Sequence, residues 1–102
     1  MIAKLTAGER DAALKELGGW KMVADRDAIQ RSFKFKTFSE AWGFMSRVAL
    51  LAESQDHHPE WFNVYNTVKV HLSTHDVSGI SERDFALAQR MDDFAKVEHD
   101  KH

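Results

Sequence analysis

The chain has 102 residues, 43% of them hydrophobic and 29% charged, which suits one domain over 1–102 with a single core and no room for a second. Lys and Arg total 14 against 16 Asp and Glu, so the formal charge of −2 provides no basic stripe for a nucleic-acid backbone and argues against direct nucleic acid binding. Without cysteine there is no disulfide framework, thiolate metal site or cysteine nucleophile, and neither a signal-peptide run after Met1 nor the ~20 apolar residues of a membrane span is present, so the expected location is cytoplasmic.

Thr6 followed by Glu9 is a capping-box pattern, which predicts a helix from about Ala7 to Leu17. It packs through Leu14 and Leu17 and closes at Gly18-Gly19. Trp20 and Met22 alternate with polar neighbours, Asp25-Arg26-Asp27 reads as a turn, and Ile29, Phe33 and Phe35 share a strand face with Arg31. These segments make a hairpin. Thr37 with Glu40 opens a second helix, where Ala41, Trp42, Phe44, Met45, Val48, Ala49 and Ala52 keep helical spacing to about Ser54. Its apolar face is wide enough for a sheet on one side and a partner on the other.

After Pro59 the period falls to two. Phe62 and Val64 alternate with Asn63 and Tyr65, Asn66-Thr67 is the expected turn, and Val68, Val70 and Leu72 alternate with Lys69, His71 and Ser73. The strand ending Leu72-Ser73-Thr74 is expected at a sheet edge, with His75 at its end, and Ser78-Gly79 breaks it. Ser81 with Asp84 starts a third helix carrying a buried stripe of Phe85, Leu87, Ala88, Met91, Phe94 and Ala95. The polar tail from Val97 to His102 is expected to fray. The order α-β-β-α-β-β-α implies an α+β fold, a four-stranded antiparallel sheet with three helices packed on one face.

Three of the six histidines lie in Asp56-His57-His58-Pro59-Glu60-Trp61 and Ser73-Thr74-His75-Asp76. Imidazole gives and takes protons near neutrality, and carboxylates flank all three, so acid/base chemistry is one reading. Pro59 disfavours helix at His58, which ends the second helix at a corner and sends two adjacent imidazoles in different directions. A capping or surface role for corner histidines is a second reading, and a zinc site at His57, His58, His75 and a carboxylate a third, although adjacent histidines lack the i, i+4 presentation of common zinc motifs. Trp61 reads first as a core or rim aromatic, Asp84 as a helix cap, and Glu53 and Glu60 as solvated. His71, His99 and His102 read as structural or incidental. Ser73, His75 and Asp76 have the composition of a hydrolase triad but are too close along the chain to form one.

The run Asp56-His57-His58-Pro59-Glu60-Trp61-Phe62-Asn63-Val64-Tyr65-Asn66, with Leu72-Ser73-Thr74-His75-Asp76 and Gly79-Ile80-Ser81-Glu82-Arg83-Asp84, closely resembles the pterin-4a-carbinolamine dehydratase family, also called dimerization cofactor of a homeodomain transcription factor. Similarity extends to Gly19-Trp20, Arg26-Asp27-Ala28-Ile29, Phe33-Lys34-Phe35 and Phe44-Met45-Ser46-Arg47-Val48-Ala49, and so spans nearly the whole chain.

The resemblance implies a cofactor-free, metal-free hydro-lyase that dehydrates 4a-hydroxytetrahydrobiopterin to quinonoid dihydropterin during tetrahydrobiopterin recycling. It implies catalytic His57, His58 and His75, and substrate contacts at Asp56, Trp61, Ser73, Thr74 and Asp76. Supporting carboxylates are expected at Glu53 and Asp84. It also implies a homotetramer built as a dimer of dimers. The alternative is a protein-interaction module, a transcriptional dimerization cofactor or assembly chaperone, that uses the same surface for a helical partner.

Overall fold

The computed structural model describes residues 2–100, so readings that fall on Met1, Lys101 or His102, and on the side chain of His99, lie outside the described residues. The order is α1 (Ala7–Leu17), β1 (Lys21–Met22), β2 (Ile29–Lys34), α2 (Phe38–Ser54), β3 (Glu60–Val64), β4 (Thr67–Leu72), a 3-10 turn (His75–Val77) and α3 (Glu82–Asp100). The α+β expectation holds: a four-stranded antiparallel sheet in the order β1-β2-β4-β3 with the three helices.

Local capping starts each helix where the sequence indicates. Thr6 Oγ1 accepts the Glu9 N–H at 3.2 Å while Glu9 returns a carboxylate oxygen to the Thr6 N–H at 2.9 Å, a complete capping box. Thr37 caps α2 through the Glu40 N–H, but Glu40 reaches back one residue further, to the N–H of Lys36. Gly18, at φ +73°, ends α1 in a conformation that glycine adopts without a Cβ penalty.

The core forms where the sheet's inner face meets α2 and α3. Ile29, Phe33, Val68, Val70 and Leu72 from the strands, Phe44 and Val48 from α2, and Leu87 and Met91 from α3 are all buried. Trp20 closes one end, its Nε1–H donating to Asp92 at 2.9 Å beside the Arg31 guanidinium, which stacks over Phe33 at 4.6 Å. Burial pushes the Asp92 carboxyl above its ordinary range, against the opposing pull of Trp20 and Arg31.

Four sequence readings need correction. The strand through Leu72 is not an edge: β4 is central and hydrogen-bonds β2 and β3 on its two sides, which is how Val68, Val70 and Leu72 all become buried. The free edges are β1 and β3. Phe62 and Val64 point to the open face, 62% and 58% exposed, because Trp61 and Asn63 take the inward positions opposite Val70 and Val68. With a period of two, one position of parity exchanges the faces. The second hairpin turns at Tyr65-Asn66 rather than Asn66-Thr67, held by the Asn63 amide, which donates to the carbonyls of Tyr65 and Thr67. His75 sits in the 3-10 turn, not at a strand end, and the tail from Val97 continues α3 to Asp100 instead of fraying.

Candidate active site

The corner after α2 is a Schellman motif. Asp56 takes φ +49°, the left-handed conformation, which lets its N–H reach the Glu53 carbonyl at 3.2 Å and the His57 N–H reach the Ala52 carbonyl at 3.0 Å. Aspartate tolerates this region better than most residues but less well than glycine. Asp56→Gly is therefore expected to raise thermal stability slightly, by up to about 1 kcal/mol, even if it removes a substrate contact. A clear loss of stability on calorimetry would contradict this account of the corner.

The turn delivers His57 inward and His58 outward. His57 is 7% exposed, with Nε2 2.7 Å from Asp84 Oδ1, whereas His58 is exposed, with Nε2 2.8 Å from Glu53 Oε1 at the end of α2. A carboxylate only accepts, so the Nε2–H of His57 donates to Asp84 and Nδ1 is its remaining nitrogen.

Asp84 is fully buried and takes three protein donors. Besides His57 on Oδ1, its Oδ2 accepts the Thr74 hydroxyl at 2.8 Å and the Ser81 N–H at 2.9 Å. The bond to Ser81 is the return half of the α3 capping box, and Ser81 Oγ accepts the Arg83 N–H at 3.2 Å. The Ser81 and Thr74 hydroxyls also hydrogen-bond each other, and every buried side-chain polar atom among the described residues has a partner. One carboxylate thus caps a helix and holds an imidazole.

His75 is carried by the 3-10 turn between β4 and α3. Thr74 and Gly79 close that turn with paired backbone bonds of 2.7 and 3.3 Å. A Cβ on Gly79 would run into the Asp27 carboxylate, which would have to move aside. His75 is exposed, and its ring makes no hydrogen bond or ion pair among the described residues.

Asp56, His57, His58, Ser73, Thr74, His75 and Asp76 line one cavity of about 170 Å³, so two segments some fifteen residues apart share a pocket. An adjoining cavity of about 310 Å³ shares His58, Ser73 and His75. Larger depressions occur beside Lys4 and between α1 and α3, but neither contains a histidine. Trp61 is absent from the histidine cavity's lining; it packs against the core and borders a separate shallow cleft with His71. Thr74 is 2% exposed with its hydroxyl committed to Asp84, and Glu53 meets the site only through His58.

Arg83 also lines the cavity and was not singled out from the sequence. Its place in the run Gly79-Ile80-Ser81-Glu82-Arg83-Asp84, directly before the capping Asp84, is the signal that could have marked it. Among the described residues no group of three or more His, Asp or Glu side chains is placed to hold a metal ion.

Residues 3–94 match the family model described as pterin 4 alpha carbinolamine dehydratase. A protein of Novosphingobium aromaticivorans, provisionally named pterin-4-alpha-carbinolamine dehydratase, is 58% identical over 93 residues, covering 91% of this chain and 97% of its own. One of Nitrobacter winogradskyi with the same provisional name is 54% identical over 96 residues, covering 94% and 95%. Among solved structures, a transcriptional coactivator/pterin dehydratase from Brucella melitensis superposes with a TM-score of 0.88 at 53% identity, over 90% of this chain and 98% of that one. A pterin dehydratase-like protein identified as a RuBisCO assembly factor in the alpha-carboxysome shares the fold, with a TM-score of 0.67 at 22% identity over 76% and 90%. With the match covering nearly its whole length, the chain belongs to the pterin 4 alpha carbinolamine dehydratase family.

Proposed function

We propose that this chain dehydrates 4a-hydroxytetrahydropterins to quinonoid dihydropterins by histidine acid/base catalysis. The observation that carries this reading is the convergence of His57, His58 and His75 on one cavity, with His57 fixed in orientation and tautomer by Asp84. In the elimination the C4a–O bond breaks as a proton reaches the departing hydroxyl, and the N5–H bond breaks as C4a=N5 forms. The proton given and the proton taken balance, and water leaves.

His57, with Nε2–H donated to Asp84, has Nδ1 to accept the N5 proton. The imidazolium so formed is held against the carboxylate. His75, exposed on its turn, delivers the proton to the hydroxyl and is reprotonated from solvent. His58, tied to Glu53, binds and orients the ring system. Each well-placed transfer contributes a factor of about 100 to 10,000. Asp56, Ser73 and Asp76 complete the wall as substrate-binding residues, Thr74 acts through Asp84, and Trp61 supports the wall from the core side. The test is stopped-flow dehydration of a synthetic 4a-hydroxytetrahydropterin, where no acceleration over buffer would remove the enzyme reading.

The proposal extends to a cytoplasmic homotetramer that recycles the pterin oxidised by aromatic amino acid hydroxylases. Two surfaces support assembly: the free β3 edge, and the outer side of α2, where Phe38 and Trp42 stack at 6.1 Å and Leu50 is 75% exposed. Equilibrium sedimentation should give four times the monomer mass. The same α2 surface favours, as a second reading, a helical protein partner.

A further inference from the structure

Arg83 is the permanent cation on the wall of the histidine cavity, and the acid/base steps give it no task. Its backbone is fixed from behind. As the second residue of α3 it donates its N–H to Ser81 Oγ at 3.2 Å, and the next residue, Asp84, holds the His57 ring at 2.7 Å. Arg83 is the only residue of α3 that lines this cavity, so the helix that orients His57 also presents a guanidinium beside it. The side chain is exposed and makes no hydrogen bond or ion pair among the described residues. It also borders the larger cavity beside Lys4, and so stands at the rim between two openings.

The hydrogen-bonding inventory of the wall shows what this cation is suited to hold. Ionised Asp56 and Asp76 only accept, Ser73, Thr74 and the neutral imidazoles both donate and accept, and Arg83 only donates. Thr74 is already committed to Asp84. The pyrimidinone edge of a pterin carries the complementary pattern, with a 4-oxygen that accepts and an N3–H and 2-amino group that donate. C4 and N5 are both bonded to C4a, so the 4-oxygen lies beside N5 on one side of the ring system. With N5 at His57, that oxygen falls toward the part of the wall that α3 supplies.

We infer that Arg83 donates to the 4-oxygen of the bound ring and selects 4-oxo pterins over 2,4-diaminopteridines, which present an N–H donor at the same position. This rests on the dehydratase reading and adds a specificity-determining residue to it. Elimination changes the C4a–O and N5–H bonds while the C4–O bond persists, so the contact strengthens ground and transition states alike and acts on KM.

Equilibrium titration of the purified chain with 6-methyl-7,8-dihydropterin and with its 2,4-diamino analogue reads the selection directly. The wild-type protein should bind the 4-oxo compound at least about tenfold more tightly, and Arg83→Ala should lower that ratio about tenfold, the effect of one hydrogen bond to a charged group. Exchanging the 4-oxygen also alters N3, so the change in the ratio between the two proteins isolates Arg83. In stopped-flow dehydration, Arg83→Ala should raise KM about tenfold with kcat within about twofold of wild type. The variant should keep the wild-type melting temperature, because the side chain is exposed and bonded to nothing. An unchanged ratio in folded Arg83→Ala, or a fall in kcat at constant KM, would overturn the inference and leave the dehydratase reading standing. A wild-type protein that turns over no carbinolamine would remove that reading, and the inference with it.

Discussion

Asp84→Asn is expected to lower kcat for carbinolamine dehydration by about 100- to 10,000-fold while leaving the protein folded. The argument depends on which oxygen carries which donor. The Thr74 hydroxyl and the Ser81 N–H both point at Oδ2, so an asparagine must keep its carbonyl oxygen there. Its NH2 then occupies the Oδ1 position 2.7 Å from His57 Nε2. An amide N–H cannot accept, so the imidazole must present a lone pair at Nε2 and move its proton to Nδ1. The nitrogen proposed to take the substrate's proton is thereby blocked.

The capping bonds survive in this variant, and the expected loss of stability is only about 1–2 kcal/mol. Asp84→Ala is different. It strands the Ser81 N–H, the Thr74 hydroxyl and the His57 ring in a fully buried place, at a cost of about 3–5 kcal/mol. Stopped-flow rates paired with thermal melts separate the two effects. Full activity in folded Asp84→Asn would show that the carboxylate only caps α3.

Removing His75 and removing His57 should both lower kcat by about 100- to 10,000-fold, yet the two variants should differ in every other readout. His75 is an exposed residue of a 3-10 turn, so His75→Ala should keep its stability within about 0.5 kcal/mol. His57 is 7% exposed and paired with a buried carboxylate, so His57→Ala leaves Asp84 short of a donor at a cost of about 3 kcal/mol or more. Added free imidazole should restore part of the rate to His75→Ala, where the vacated space opens to solvent, and little to His57→Ala. Full turnover by His75→Ala, or equal rescue of both, would end the proposed division of labour.

The helices were the most legible part of the sequence because their signals are local. Thr6 with Glu9, Thr37 with Glu40 and Ser81 with Asp84 all lie three residues apart, and each pair makes at least one of the bonds its spacing implies. Strand alternation was equally visible, but alternation alone leaves the face undetermined. Phe62 and Val64 share the face that turns out to be exposed, because Trp61 buries the larger ring and Asn63 uses its amide to hold the hairpin turn. The central position of β4 was illegible for a related reason. Its pairing with β2 joins Val68 to Phe33 and Leu72 to Ile29, contacts made far apart in the chain across the α2 crossover. Arg26 was passed over as a turn residue, since its ion pair with Glu60 spans 34 positions.

By itself the sequence determined the number and order of the elements, the supply of imidazoles and carboxylates, and, through the long run from Asp56 to Asn66 with its companion segments, the family. It did not determine which carboxylate serves which imidazole. Glu53 and Asp84 were both candidates, and the tertiary structure assigns Asp84 to His57 and Glu53 to His58. The reason is physical. A hydrogen bond needs its partners within about 3 Å and in line, and here that alignment arises only when the first turn of α3 packs against the corner that ends α2, 27 residues away.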